Sequence, residues 1–239
     1  MLCGACLYAS VSAASTLTPA RHADFGHYTL ALTWQPGFCR TDGGCRPDQP
    51  ETMLIGLHGL WASRPASLVA SGISAPRWWR RGCDYFHHSN RAPKLSAPIM
   101  HSLNEAMPHL RHSLLKHEYD KHVQCFGFNT EHFFITALRM RRSIVASAFG
   151  RYMIRQARGR RVTRKHVIGA FMQAFHTRRQ HALQLRCSKD RRGRTVLTQM
   201  WITLHAHAVA DFPGRGSLMD APIGQNSCPA QFLVPAWPS

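Results

Sequence analysis

The sequence predicts an α+β fold, with a central, mainly antiparallel β-sheet packed against several α-helices. Three observations lead there. Apolar residues alternate with period two near both ends of the chain, they recur at helical spacing in between, and no internal repeat or long linker interrupts the 239 residues. Residues 21–239 therefore read as one domain, and a chain of this size buries roughly 70 to 75% of its extended surface without any staple.

From Tyr28 to Trp34 the larger residues Tyr28, Leu30, Leu32 and Trp34 alternate with Thr29, Ala31 and Thr33. That is the period of a strand lying on a core, and Pro36-Gly37 ends it. Thr52 to Leu57 reads as a second strand running directly into His58. The Pro-, Ser- and Arg-rich stretch from Ala62 to Ala97 reads as a long irregular excursion, interrupted by Arg77 to Arg81 with Trp78 and Trp79. Asn104 to His122 forms one or two helices separated near Pro108, because proline removes a helix donor. Phe133, Phe134, Ala137, Leu138, Ile144, Val145 and Ala148 make one helical stripe, and Val167, Ile168, Phe171, Ala174 and Phe175 another. Both are core faces. Arg139, Arg141 and Arg142, and the run Arg158 to Arg161, read as solvated helix faces and turns. Val196, Thr198, Met200, Ile202, Leu204 and Ala206 alternate as a last strand.

Thirty Lys plus Arg against 12 Asp plus Glu give a formal charge of +18. With 44% hydrophobic and 10% aromatic residues, the chain is too rich in core-forming side chains for a disordered polycation. A folded domain with a basic surface attracts polyanions, whether nucleic acid, anionic membrane or acidic glycan. Sixteen histidines would deepen that positive field as pH falls toward 5. Nothing offers about 20 uninterrupted apolar residues, so no transmembrane helix is expected.

Met1 to Ala20 carries no charged side chain and has small residues around Ser12, Ala13 and Ala14. It reads as an export signal whose start is clipped or misplaced, with an N-terminal tail as the alternative. Cys3 and Cys6 form a CxxC with neither a second CxxC for zinc nor a following strand-helix pattern for redox work. Beyond them stand Cys39, Cys45, Cys83, Cys125, Cys187 and Cys228, an even, widely spaced set that suits three disulfides and an oxidising compartment. Six cysteines allow 15 pairings. Spacing alone favours only Cys39 with Cys45.

The chemistry concentrates in two short segments. The first is Leu57-His58-Gly59-Leu60-Trp61 at a strand end, where Gly59 allows close approach to the imidazole. The second is His117-Glu118-Tyr119-Asp120-Lys121-His122, followed by Cys125. On a helix, Glu118 and His122 are four apart and so are His117 and Lys121, making one patch, while Tyr119 and Asp120 point elsewhere. A carboxylate beside two imidazoles and an ammonium can move protons and hold a phosphate together. Zinc binding of the HExxH kind needs His at the fourth position after His117, and Lys121 stands there. Metal-independent chemistry follows, with a metal-dependent hydrolase the remotest of three readings.

HGLW at 58–61 and HEYDKH at 117–122, with a cysteine three residues on, resemble the two active-site segments of the ribonuclease T2 family of endoribonucleases. The Trp61 to Cys83 excursion with RWWRRGC, CFGF after the second motif and the helical stretch to about Phe175 resemble the family's bacterial periplasmic branch, the ribonuclease I type. The similarity runs from about Tyr28 to Cys228. It implies the ribonuclease T2 fold and a metal-independent, cofactor-free endoribonuclease of broad base preference, acting on mainly single-stranded RNA as a periplasmic or secreted monomer. The ribose 2'-hydroxyl is the nucleophile, so the enzyme supplies a base, an acid and positive charge. The resemblance implies His122 as base, His58 as acid, Lys121 as stabiliser of the phosphorane, Glu118 as proton partner of the imidazoles and His117 as phosphate anchor. It also implies Cys83 with Cys125, which leaves Cys187 with Cys228. One charged and one neutral imidazole near pKa 6.5 predicts a bell-shaped, mildly acidic or neutral optimum.

Trp61 reads either as a base-stacking surface or as a core residue behind the catalytic strand. Trp78 and Trp79 read as packing inward from a disulfide-tethered loop rather than as RNA binders. Three positions depart from the family pattern. Ala62 replaces a proline, Ser63 stands where some members carry an acidic base-selecting residue, and Val123 replaces a glycine. A positive φ at Val123 would strain a β-branched residue and displace His122. The alternative function is accordingly a catalytically weakened RNA- or membrane-binding basic protein on the same scaffold.

Overall fold

A computed structural model of the chain describes residues 17–41, 44–50, 52–89 and 91–237. Most of the leader segment and the Cys3/Cys6 pair lie outside those residues, while Leu17 is buried in the core. The elements run β1 His27–Trp34, α1 Gln35–Thr41, β2 Ile55–Ala62, α2 Ala66–Ala70, α3 Ala75–Arg81, α4 Ala97–Ala106, α5 Leu114–His122, α6 Thr130–Ala146, α7 Ala148–Tyr152, β3 Arg160–Thr163, α8 Arg164–Ala174, β4 Leu183–Lys189, β5 Thr195–His205 and β6 Gln231–Val234.

The sheet is mainly antiparallel, as the alternation predicts. β1 lies between β2 and β5, antiparallel to both, and β4 pairs antiparallel with β5 on its other side. β6 joins parallel at Val196–Leu233, where β1 has already left β5, and carries β3 antiparallel beyond it. Tyr28, Leu30, Leu32 and Trp34 of β1 and Met200, Ile202 and Leu204 of β5 form one buried face. α6 lies against β1 and β2 and α8 against β4, so Phe133, Ile144 and Phe171 complete the same core. The opposite face holds the cross-strand row Trp61, Thr29 and Thr203 and, beside it, Gly59, Ala31, Trp201 and Gln184.

Several boundaries differ from the sequence reading. The second strand begins at Ile55 and continues through Ala62, so the whole HGLW segment lies within it. The excursion after Ala62 contains α2 and α3. The helix before Pro108 starts at Ala97, not Asn104, because Pro98 is tolerated in a first turn that lacks donors' partners anyway. The break near Pro108 is present. β3, β4 and β6 went unread: β3 and β6 are four residues each, and β4 carries polar Arg186, Ser188 and Lys189 on an edge. Two arginines expected in solvent instead tie elements together. Arg139 donates to the carbonyls of Phe212 and Val209, and Arg141 to that of Ile55.

Among the described residues three disulfides form, Cys39–Cys45, Cys83–Cys125 and Cys187–Cys228. The second ties the turn after α3 to the segment following α5. Gly82, at φ +51°, permits this closeness, since a Cβ there would lie 2.2 Å from the Lys121 carbonyl oxygen.

Candidate active site

His58 owes its direction to an irregularity in β2. The β1–β2 register passes from Ala31↔Gly59 to Leu32↔Leu57, leaving His58 without a partner. It is the extra residue of a β-bulge, which re-aims a side chain at the cost of local pairing. Without the bulge, His58 would share the face of Leu60 and point into the core. With it, the imidazole turns to the side of Gly59 and Trp61.

α5 crosses that side of β2. Ser113 caps it by accepting the Lys116 amide, and its last turn carries Lys121 and His122. Glu118 is 2% exposed, and its Oε2 accepts the Trp61 indole N–H at 2.6 Å. Oε1 lies 3.4 Å from His58 Nε2. His122 is also buried, its ring centroid 5.3 Å from that of Trp61, which in turn stands edge-on to His58 at 5.6 Å. Gly59 makes the arrangement fit. A Cβ there would come within 1.9 Å of Glu118 Oε2 and 2.7 Å of Trp61 Nε1. The glycine therefore admits a carboxylate of its own chain. Gly59→Ala is expected to keep the fold, since the atoms in the way end a side chain, yet to break the Glu118–Trp61 bond. Steady-state kinetics should show kcat reduced at least about tenfold, on the scale of a lost proton-transfer partner.

His58, Glu118, His122, Lys121, His117 and Trp61 all line one cleft of about 940 Å³. Tyr119 and Asp120 turn away from it, and Asp120 instead pairs with Lys116. Burial, reinforced by His117 and Lys121, depresses the His58 pKa to about 4. Burial, reinforced by Lys121 and by the neighbouring His117 and His58, holds His122 well below its ordinary value. Burial also lowers His117, with Lys121 adding to the effect and Asp120 opposing it. Burial raises Glu118 to about 8, against the opposing influence of the Trp61 hydrogen bond and Lys121. Nδ1 of His58, Nδ1 of His122 and Oε1 of Glu118 are buried without a hydrogen-bond partner among the described residues.

Val123 has φ −123° and is buried in the core, so the strain expected of a left-handed residue does not arise. The left-handed turn falls at Gly127, φ +63°. Trp78 packs inward, as read, donating to the Ala62 carbonyl, whereas Trp79 is exposed and lines the cleft. Trp201 and Arg186 were not singled out from the sequence. Trp201 meets Trp61 edge-on at 5.2 Å, and the Arg186 guanidinium lies 4.6 Å over its ring. A signal was present, for Trp201 falls out of phase with Met200 and Ile202, on the face turned from the core.

Fold and site together define a ribonuclease of the T2 class. The family model described as Ribonuclease T2 family matches residues 25–212, and the chain belongs to that family of endoribonucleases. It is 29% identical over 246 residues to Ribonuclease I of Escherichia coli (strain K12), across 92% of this chain and 90% of that protein. Among solved structures it shares its fold with trichomaglin, an S-like ribonuclease, at TM-score 0.61 and 20% identity, covering 90% of this chain and 100% of that one. Ribonuclease MC1 from bitter gourd seeds superposes at 0.58 with 21% identity over 87% of this chain and 100% of its own. RNase NT, solved in complex with 5'-AMP, gives 0.60 at 18% identity over 89% and 98%.

Proposed function

We propose that the chain is an exported endoribonuclease that cleaves mainly single-stranded RNA without metal, at bases of broad identity, leaving 2',3'-cyclic phosphates. The observation carrying this is the convergence of His58 on a bulged strand with Glu118 and His122 on one helix, around a buried cluster with unpaired polar atoms. His122 takes the 2'-hydroxyl proton through Nε2, since its Nδ1 is buried, the 2'-oxygen attacks phosphorus, and the P–O5' bond breaks as His58 protonates the leaving oxygen. Lys121 supplies positive charge to the phosphorane, and His117 helps to anchor the phosphate.

The lowered imidazoles and the raised carboxyl support one proton held on Glu118 in the free cleft. Between pH about 4 and about 8 that proton sits on Glu118, whose Oε1 lies 3.4 Å from Nε2 of the neutral His58. An entering phosphodiester anion favours its transfer to the imidazole, giving His58⁺ beside Glu118⁻ steadied by the Trp61 N–H. Below about 4 a second proton loads the pair, and above about 8 none remains to give. The bell expected for kcat/KM thus spans those two limits. Trp61 offers its face to the base beside the reacting phosphate, and three disulfides suit a periplasmic or secreted monomer.

Digestion of RNA in excess EDTA, with products separated by chromatography, tests the reading. Undiminished cleavage ending in 2',3'-cyclic phosphates is expected, with matched DNA left intact for want of a 2'-hydroxyl. Activity abolished by chelation and restored by a divalent cation would overturn it.

A further inference from the structure

Among the described residues four large apolar side chains are strongly exposed, Val69, Trp79, Ile135 and Ile223. Three of them, Val69, Trp79 and Ile223, line the cleft that holds the histidines. Exposed apolar groups scattered singly mean little, but convergence on one cleft marks a contact surface. Trp79 is the most telling. Adjacent helical residues point about 100° apart, so α3 can bury Trp78, 3% exposed, while Trp79 on the next position is 39% exposed. Its neighbours Arg77 and Arg80 are exposed on the same helix, and Arg81 lies over the Tyr85 ring.

A tryptophan held in solvent among arginines and open to a cleft combines the two requirements of single-stranded nucleic acid binding, a π face and positive charge. Trp61 cannot also serve this outer position, because its N–H bond to Glu118 fixes it at the histidine cluster, beside His122 and Trp201. We propose that Trp79 stacks a second RNA base, one nucleotide beyond that at Trp61, while the exposed Arg77 and Arg80 of the same helix add to the positive potential that draws the strand in. This rests on the ribonuclease reading and extends it from the reacting linkage to an outer subsite.

The test compares wild type, Trp79→Ala, Trp79→Phe and, as a control away from the cleft, Ile135→Ala. Each is assayed for cleavage of a dinucleoside monophosphate and of a hexanucleotide containing it. Binding of an uncleavable 2'-O-methyl hexanucleotide is followed by fluorescence anisotropy. Trp79→Ala should weaken hexanucleotide binding and raise its KM about tenfold, within the range of one lost base stack, with kcat and dinucleoside cleavage unchanged. Trp79→Phe should recover most of the affinity, and Ile135→Ala should have no effect. Unchanged hexanucleotide binding in Trp79→Ala, or equal losses on both substrates, would overturn the subsite. If the wild type binds the hexanucleotide through Trp79 but cuts nothing, the subsite stands and the proposed activity fails.

Discussion

His58→Ala is expected to lower kcat for RNA cleavage by about 10²- to 10⁴-fold, the range supplied by a positioned general acid. Affinity for an uncleavable RNA, and the salt dependence of that affinity, should stay near wild type. The two readouts separate because they draw on different residues. His58 is neutral in the free cleft above pH about 4, so it contributes little to phosphate neutralisation before the reaction begins. The many exposed arginines carry that role instead, and replacing them should flatten the salt dependence without touching kcat. Removing the imidazole leaves Glu118 holding its proton with no route to the leaving oxygen. Cleavage that survives in His58→Ala would sink the acid assignment. A chain that binds RNA equally well in both forms and cleaves with neither would restore the alternative of a weakened binder, although the unstrained Val123 has removed the main reason for expecting one.

Much of this site was legible in the sequence because its residues sit in two short, dense segments. The i, i+4 geometry of α5 alone places His117, Glu118, Lys121 and His122 on one side, and the structure shows that side turned to the cleft. The alternation in β1 and β5 likewise exposes the sheet's core face. What escaped depends on pairing rather than pattern. His58 sits at a bulge that only the partner strand reveals, and simple alternation in β2 would have sent it into the core. The reason for Gly59 was visible only as permission for close approach. That the approaching group is Glu118, 59 residues away in chain terms, requires the packing of α5 on β2. β3 and β6 are too short to carry a period and exist because each completes the other's hydrogen bonds. Arg139 and Arg141 look like solvated charge in any linear reading, since carbonyls exposed at the ends of distant elements leave no trace in composition.

Glu118→Gln is expected to separate catalysis from stability in opposite directions. The amide preserves the shape beside Gly59 and can still accept from the Trp61 indole, but it cannot store a proton. His58 must then hold the donated proton by itself, against the burial that depresses it to about 4. The basic limb of the kcat/KM profile should consequently move from about 8 toward acid pH, with activity near neutrality falling tenfold or more. Stability should change the other way. A carboxyl whose folded pKa is raised from 4.5 to about 8 is protonated in both states at pH 4 and imposes no penalty there. As pH climbs, the unfolded chain ionises first, and the penalty on the fold grows until it is complete above about 8. Glutamine has no such penalty, so Glu118→Gln should match wild type in denaturant melts near pH 4 and exceed it by a few kcal/mol near pH 9. His58 and His122, shifted downward, destabilise on the acid side, but both proteins share them and the comparison largely cancels that contribution. A stability gap independent of pH, or a basic limb that does not move, would show that Glu118 holds no proton to pass to His58 and acts only to position it.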